Sequence, residues 1–190
     1  MIRKIIILLI LFVSTTACWY IGKTSEYGLP RRKIRPLPEN TDYSKIDTMA
    51  LYKSEIVYLY TTSLYGTKPK NICIIEKEGE PYLPTTTYLK FYSKNKVGVF
   101  ILSKQESLNL QRSFFNPQKA EMGYYYVKAN KNKIKIKFST IGAYCTMQVN
   151  NRKGTIYNDS INIFGGNNIG EIYVKRNVPK ELLEGWEPDW

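Results

Sequence analysis

Between Lys133 and Phe138 the chain reads Lys-Ile-Lys-Ile-Lys-Phe, charge and apolar side chain in strict turn. Successive side chains of a β-strand point to opposite faces. Ile134, Ile136 and Phe138 therefore share one face, and Lys133, Lys135 and Lys137 the other. One face is buried and the other is wet, which is the habit of antiparallel sheets.

The same period recurs from about Ile46 onward. Met49, Leu51 and the run Ile56–Tyr60 are rich in β-branched and aromatic residues, which fit a pleated, half-buried surface. Asn71–Glu76 is another short apolar run. Tyr88–Tyr92 and Val97–Leu102 flank Ser93–Lys96, a hairpin with a four-residue loop. Gly123–Lys128 and Ile134–Ser139 flank Asn130–Lys133, a second hairpin. Tyr144–Val149 and Gly154–Tyr157 flank Asn150-Asn151-Arg152-Lys153, which reads as a polar turn. Asn158-Asp159 is a two-residue turn of residues that tolerate positive φ, and Ser160–Phe164 follows it. Ile172–Lys175 reads as the closing strand. Helix is expected only over Lys104–Gln111, ahead of the break at Asn116-Pro117, with one further turn at Lys180–Glu184. The tail ends in Gly-Trp-Glu-Pro-Asp-Trp, which is expected to pack back on the domain. The pattern predicts an all-β fold: an antiparallel up-and-down meander, closed or nearly closed into a barrel of about eight or nine strands, with one short helix.

The N-terminus carries a different signal. Arg3 and Lys4 precede an unbroken apolar run, Ile5–Val13, then the small residues Ser14–Ala17, then Cys18. Spanning a bilayer takes roughly 20 apolar residues, more than this run offers. The layout is that of a secretory signal. With Cys18 directly after Ala17 it resembles the lipobox of bacterial lipoproteins, although Thr15 stands where that motif most often has Leu. The resemblance implies cleavage between Ala17 and Cys18, a diacylglycerol on the Cys18 thiol and a palmitate-type acyl group on the new N-terminus. It also implies a place in the cell envelope, on the periplasmic or surface face of a bacterial membrane. The alternative is a plain secretory signal, with Thr15 and Ala17 as the small residues at its cleavage site.

These signals divide the chain into a signal peptide (1–17), a lipid-anchored basic and proline-rich tether (18–45), a β domain (46–176) and an aromatic C-terminal tail (177–190). In the tether, Leu29–Asn40 holds three prolines and four basic residues, a composition that favours an extended spacer. Its charges either touch anionic headgroups or are simply solvated. The net charge of +12 stays strongly positive when Arg3 and Lys4 leave with the signal. In an exported chain that charge suits anionic headgroups or an acidic protein rather than nucleic acid, or it serves only solubility. Histidine is absent. That excludes Ser-His-Asp and Cys-His catalysis and imidazole-based zinc sites. No CxxC and no glycine-rich phosphate loop is present. Apart from the lipid on Cys18, no cofactor or metal is expected. Cys73 and Cys145 either form a disulfide, which an exported compartment allows, or remain two buried thiols. Glu55, Glu76, Glu78, Glu80, Glu106 and Glu121 fall mostly in expected loops, with no spacing that forces two carboxylates together.

The stretches YLKFYSKNKVGVF, GYYYVKANKNKIKIKF, GTIYNDSINIF and EIYVK resemble, in their order of hairpins, the lipocalin-like or calycin-like barrels found among small bacterial lipoproteins. The G-x-W signature of true lipocalins is absent, since no Trp lies between Trp19 and Trp186. The resemblance implies a domain that encloses or presents rather than reacts. The leading expectation is a monomeric, non-enzymatic envelope lipoprotein that binds a hydrophobic small molecule or a partner. Tyr92, Phe100, Tyr126 and Phe138 are the candidate cavity lining; the alternative is that the sixteen tyrosines and other aromatics fill the barrel and pave its outside. An immunity or inhibitor-type lipoprotein that binds a toxin or enzyme is the second expectation, and a carboxylate-based hydrolase the third. Asp47-Thr48-Met49 and Asp159-Ser160-Ile161 also resemble the acceptor tripeptide of a periplasmic O-glycosylation system, with Thr48 and Ser160 as acceptors. Plain turn chemistry accounts equally for Asp159-Ser160.

Overall fold

The computed structural model describes residues 22–31, 34, 41–62, 70–77, 84–129, 131–141, 147–165 and 168–190. Ala17, Cys18 and Cys145 lie outside them, so neither the anchor nor the suggested Cys73–Cys145 pair falls within the described residues. Those residues form nine strands: β1 (Leu51–Thr61), β2 (Lys70–Lys77), β3 (Thr85–Phe91), β4 (Lys96–Ser103), β5 (Glu121–Val127), β6 (Lys133–Ile141), β7 (Met147–Tyr157), β8 (Ser160–Phe164) and β9 (Ile169–Arg176). All pairings are antiparallel. From β3 to β9 each strand pairs with the next, and β9 returns to pair with β1 from Leu51↔Arg176 to Leu59↔Ile169. That last ladder closes an eight-stranded up-and-down barrel, consistent with the lipocalin-like fold.

The remaining strand, β2, is an addition along β1. Leu51, Tyr52 and Lys53 pair with β3, whereas Ile56–Thr61 pair with β2. The two strands thus follow one another along the same edge of β1. On the β9 side the register slips between Ser54 and Ile56, a bulge that bends and twists β1 locally.

The alternation of β6 is realised as the sequence dictates. Ile134 and Ile136 are each 1 % exposed, and Lys133 and Lys135 on the other face are exposed. The tight turns also form. Lys94 and Asn95 both take positive φ (57° and 60°) between β3 and β4, the twist that a two-residue hairpin turn demands. Tyr157 pairs with Ser160 across Asn158-Asp159.

The segment Asn150–Lys153 departs from expectation. It is the middle of β7, an unbroken strand of 11 residues paired on one side with β6 and on the other with β8. Its polar side chains look like turn residues because β7 carries polar groups on its inward face as well as its outward one.

A second apolar layer lies outside the barrel. Ser103 caps a short helix, α1 (Lys104–Leu108): its hydroxyl accepts the Glu106 N–H at 3.2 Å, and the Glu106 carboxylate accepts the Ser103 N–H at 2.8 Å. The helix stops at Leu108, short of the expected Gln111, and two 3-10 turns, Arg112–Phe115 and Pro117–Lys119, follow. Phe115 enters a cluster with Leu51, Tyr88, Phe100, Leu102, Ala120 and Leu183. Its ring meets Tyr88 and Phe100 edge-on at 6.0 and 5.5 Å. The C-terminal tail joins this layer, and the Trp190 indole N–H donates to the Gly123 carbonyl at 3.2 Å.

Part of the expected tether also docks there. Arg31 is buried and donates to the carbonyls of Ala120 (3.1 Å), Pro117 (3.1 Å) and Gln118 (3.2 Å). Its Nε meets both carboxylate oxygens of Asp189 at 3.0 Å, and the guanidinium lies over the Trp190 ring. The spacer reading fails at Arg31 because its partners lie far along the chain, where local composition carries no trace of them.

Candidate functional site

One end of the barrel is filled. Ile46, Tyr52, Leu89, Phe91, Val97, Tyr125, Val127, Ile134, Ile156 and Ile161 pack into a single inner cluster. Aromatic edges lock it: Phe91 meets Tyr125 at 4.9 Å and Tyr52 at 5.2 Å. Chain just ahead of β1 covers this end, with the Asp42 N–H donating to the Val127 carbonyl and the Tyr43 ring edge-on to Tyr125.

Toward the other end the inward residues change character. Thr87 (β3), Val99 and Ile101 (β4), Glu121 (β5), Phe138 and Thr140 (β6), Asn150 and Arg152 (β7), and Glu171 and Tyr173 (β9) surround a cavity of about 170 Å³. Each continues the two-residue alternation of the filled end, so all point inward. Ile101 is 55 % exposed and stands at the mouth. Val99 and Phe138 make the apolar wall. The floor is ionic. Arg152 Nη1 donates to Glu171 Oε1 at 2.5 Å, and the Tyr173 hydroxyl donates to the other Glu171 oxygen. Burial, reinforced by the negative charge of Glu171, pushes the Tyr173 phenol well above its ordinary pKa, so it stays a donor. Burial also raises the pKa of Glu121, against the opposing charge of Arg152. Arg152 Nε is buried without a hydrogen-bond partner. A buried donor of this kind marks either a strained spot or a position meant for a ligand or water.

Of the four aromatic residues expected to line a cavity, only Phe138 is at its wall. Phe100 is in the outer layer against Phe115. Tyr126 faces outward opposite Lys135, while its neighbour Tyr125 points in. Tyr92 lies just past β3 with its ring edge-on to Trp190 at 6.3 Å. A strand's two faces differ by one residue, and choosing the aromatic residue of a run does not choose its face. Cys73 is exposed on β2. Nor is Glu121 in a loop: it opens β5, and the fold brings it to the same cavity as Glu171. Arg152 and Asn150 were hidden in the supposed turn. The signal that could have found them is that Asn150, Arg152, Gly154 and Ile156 hold one continuous parity with the core.

Among the described residues no group of His, Cys, Asp and Glu could hold a metal ion, and no helix is long and apolar enough to cross a membrane. The fold and site define a closed antiparallel barrel, filled at one end and ionic at the other. Comparison with known protein families, curated proteins and solved structures finds no match in any of the three.

Proposed function

We propose that this chain is a bacterial envelope lipoprotein, held to its membrane through Cys18, whose barrel binds a small molecule in the open end. The observation that carries the binding reading is the change along the barrel axis, from a tightly filled core to a half-open space where one apolar wall faces convergent polar groups. Sites for small molecules have that composition. About 170 Å³ is small, which limits the bound group to a compact ligand or to the end of a longer one.

A ligand screen by NMR on the purified protein tests it. Binders should shift resonances of Val99, Phe138 and Tyr173, and Val99→Trp, which fills the space, should abolish the shifts while the fold persists. A library in which no compound moves those signals would refute the binding reading. Anchoring is tested separately: Cys18→Ser should release the protein from the membrane fraction or stall it as precursor, and a processed, lipid-labelled Cys18→Ser product would refute it.

One observation favours a second reading, a carboxylate-based hydrolase. Glu121 and Glu171 share the cavity in opposite surroundings: one pushed toward its protonated form by burial, the other held by Arg152 and Tyr173. Hydrolysis uses such a divided pair as acid and base or nucleophile. Turnover in a hydrolase screen that disappears with Glu121→Gln would establish this reading over simple binding.

A further inference from the structure

The ionic groups of the cavity do not balance. Arg152 and Glu171 neutralise one another, and the second Glu171 oxygen is taken by Tyr173. Glu121 makes no hydrogen bond or ion pair with any described residue, although it sits in the same partly desolvated space. Arg152 Nε, on the same lining, is a buried N–H with no acceptor, and Asn150, Thr87 and Thr140 add uncharged polar groups. The cavity therefore presents one spare negative group, with uncharged polar groups around it and an apolar wall of Val99, Ile101 and Phe138 beside it.

On the small-molecule reading given above, we infer that the cavity takes a small organic monocation: a primary amine bearing a hydrogen-bond acceptor such as a hydroxyl one or two carbons away. The ammonium pairs with Glu121, the acceptor oxygen takes an N–H from the Arg152 guanidinium edge or the Asn150 amide, and the hydrocarbon part lies on Phe138 and Val99. The charge count decides between ligand classes. An ammonium brings the site to neutrality with every charged group paired. A carboxylate ligand adds a second unmatched negative charge, or forces Glu121 to hold its proton. A neutral diol can donate a hydroxyl hydrogen to Glu121 but brings no counter-charge into the partly desolvated space, which a carboxylate needs. Size agrees: a cavity of about 150 Å³ accepts benzene, so about 170 Å³ suits roughly six to eight non-hydrogen atoms.

Binding of such an amine is linked to protons. The amine needs Glu121 ionised, so its affinity rises with pH through the raised Glu121 pKa and then levels. The titratable and charged groups that face Glu121 are Arg152 from β7 and Glu171 and Tyr173 from β9; β3, β4 and β6 contribute none to the cavity lining. Glu171 is tied to Arg152, so a rise lost in Glu121→Gln belongs to Glu121.

Three probes of similar size separate the classes: 1-amino-2-butanol, 1,2-butanediol and 2-hydroxybutyrate, titrated into the purified protein by NMR or calorimetry, with benzene as an uncharged size control. The expected result is that the amino-alcohol binds at least tenfold more tightly than either analogue, the scale of one charge-assisted hydrogen bond. Its affinity should climb as pH rises from 4 to 8, and Glu121→Gln should erase both the preference and the climb. The wild-type pH series stands by itself if Glu121→Gln fails to fold. Diol or hydroxybutyrate binding as tightly as the amine, or benzene binding alone, overturns the ligand class and leaves the binding barrel in place. Silence toward all four probes overturns the ligand class and counts against the binding reading itself.

Discussion

Replacing Gly170 with alanine should open the seam that closes the barrel. Gly170 lies on β9 opposite Tyr58 of β1, and the Tyr58 phenol lies across its Cα. A methyl group built there runs into the phenol edge, clashing with Cζ, Cε2 and the hydroxyl oxygen. Carbon atoms need about 3.5–4.0 Å, so the ring must leave. Tyr58 is 1 % exposed, and its hydroxyl donates to Asn162 Oδ1 at 2.6 Å. Losing a buried aromatic side chain costs about 3–5 kcal/mol when the residue is truncated, and an expelled ring keeps part of its contacts elsewhere. The lost hydrogen bond adds about 1 kcal/mol. Against this, alanine is better than glycine in a strand by roughly 0.5–1 kcal/mol. The net expectation for Gly170→Ala is a loss of about 3 kcal/mol, read from urea unfolding. In a Tyr58→Ala background the obstacle is gone, and the same substitution should be neutral or stabilising by about 0.5 kcal/mol. The coupling between the two positions then carries nearly the whole effect. Equal costs in both backgrounds would refute the reasoning, because the loss would then arise from the backbone and not from the ring.

Three further outcomes are expected. Glu121 has a raised pKa, so the folded state holds this proton more tightly than the unfolded chain; the stability it lends is present at low pH and lost as pH rises through the folded value. Glu121→Gln should therefore change little below about pH 4, the ordinary carboxylate range, and should stabilise increasingly as pH rises through the raised Glu121 value; a difference in urea midpoint that is flat with pH would sink this. Arg31→Met leaves three carbonyls and Asp189 without their donor, and should destabilise by about 3 kcal/mol, the scale of a broken buried ion pair. Hydrogen exchange should speed up first at residues 117–120, and unchanged exchange there would count against the docking role. Burial lowers the pKa of Lys90 to about 8, with the negative charge of Asp47 opposing, and its amine donates to the Thr48 carbonyl. Stability should rise as pH climbs from about 8 toward the unfolded lysine value, and an NMR midpoint for Lys90 above 10 would contradict its burial.

The barrel was legible in the sequence because its strongest strand writes its burial into its letters. Ile134, Ile136 and Phe138 alternate with lysines, and one such strand fixes the sidedness of its neighbours through pairing. The turn at Asn158-Asp159 was equally plain. The cavity was not, for a physical reason: a barrel that keeps an ionic end puts polar side chains on both faces of a strand, and Asn150–Lys153 then looks the same as a loop. Tyr125 and Tyr126 differ by one position and face opposite ways, and only the pairing of β5 with β6 decides which enters the core. The docking of Arg31 depends on residues 86 to 158 positions away, beyond the reach of any local pattern.

The Arg31 contact also sets how the molecule carries load. A pull applied ahead of residue 22 meets the outer layer at Glu26, whose N–H donates to Gln118, and at Tyr27 under Lys119, and then at the Arg31 side chain. Its bonds spread the tension into Pro117, Gln118, Ala120 and Asp189, all in the outer layer. None of those residues belongs to the β1–β9 ladder. The outer layer thus works as a strain relief, like the grip on a cable that keeps tension off the joint. A domain tugged from its N-terminal side yields there, by undocking a strap, before the seam of the barrel feels the force.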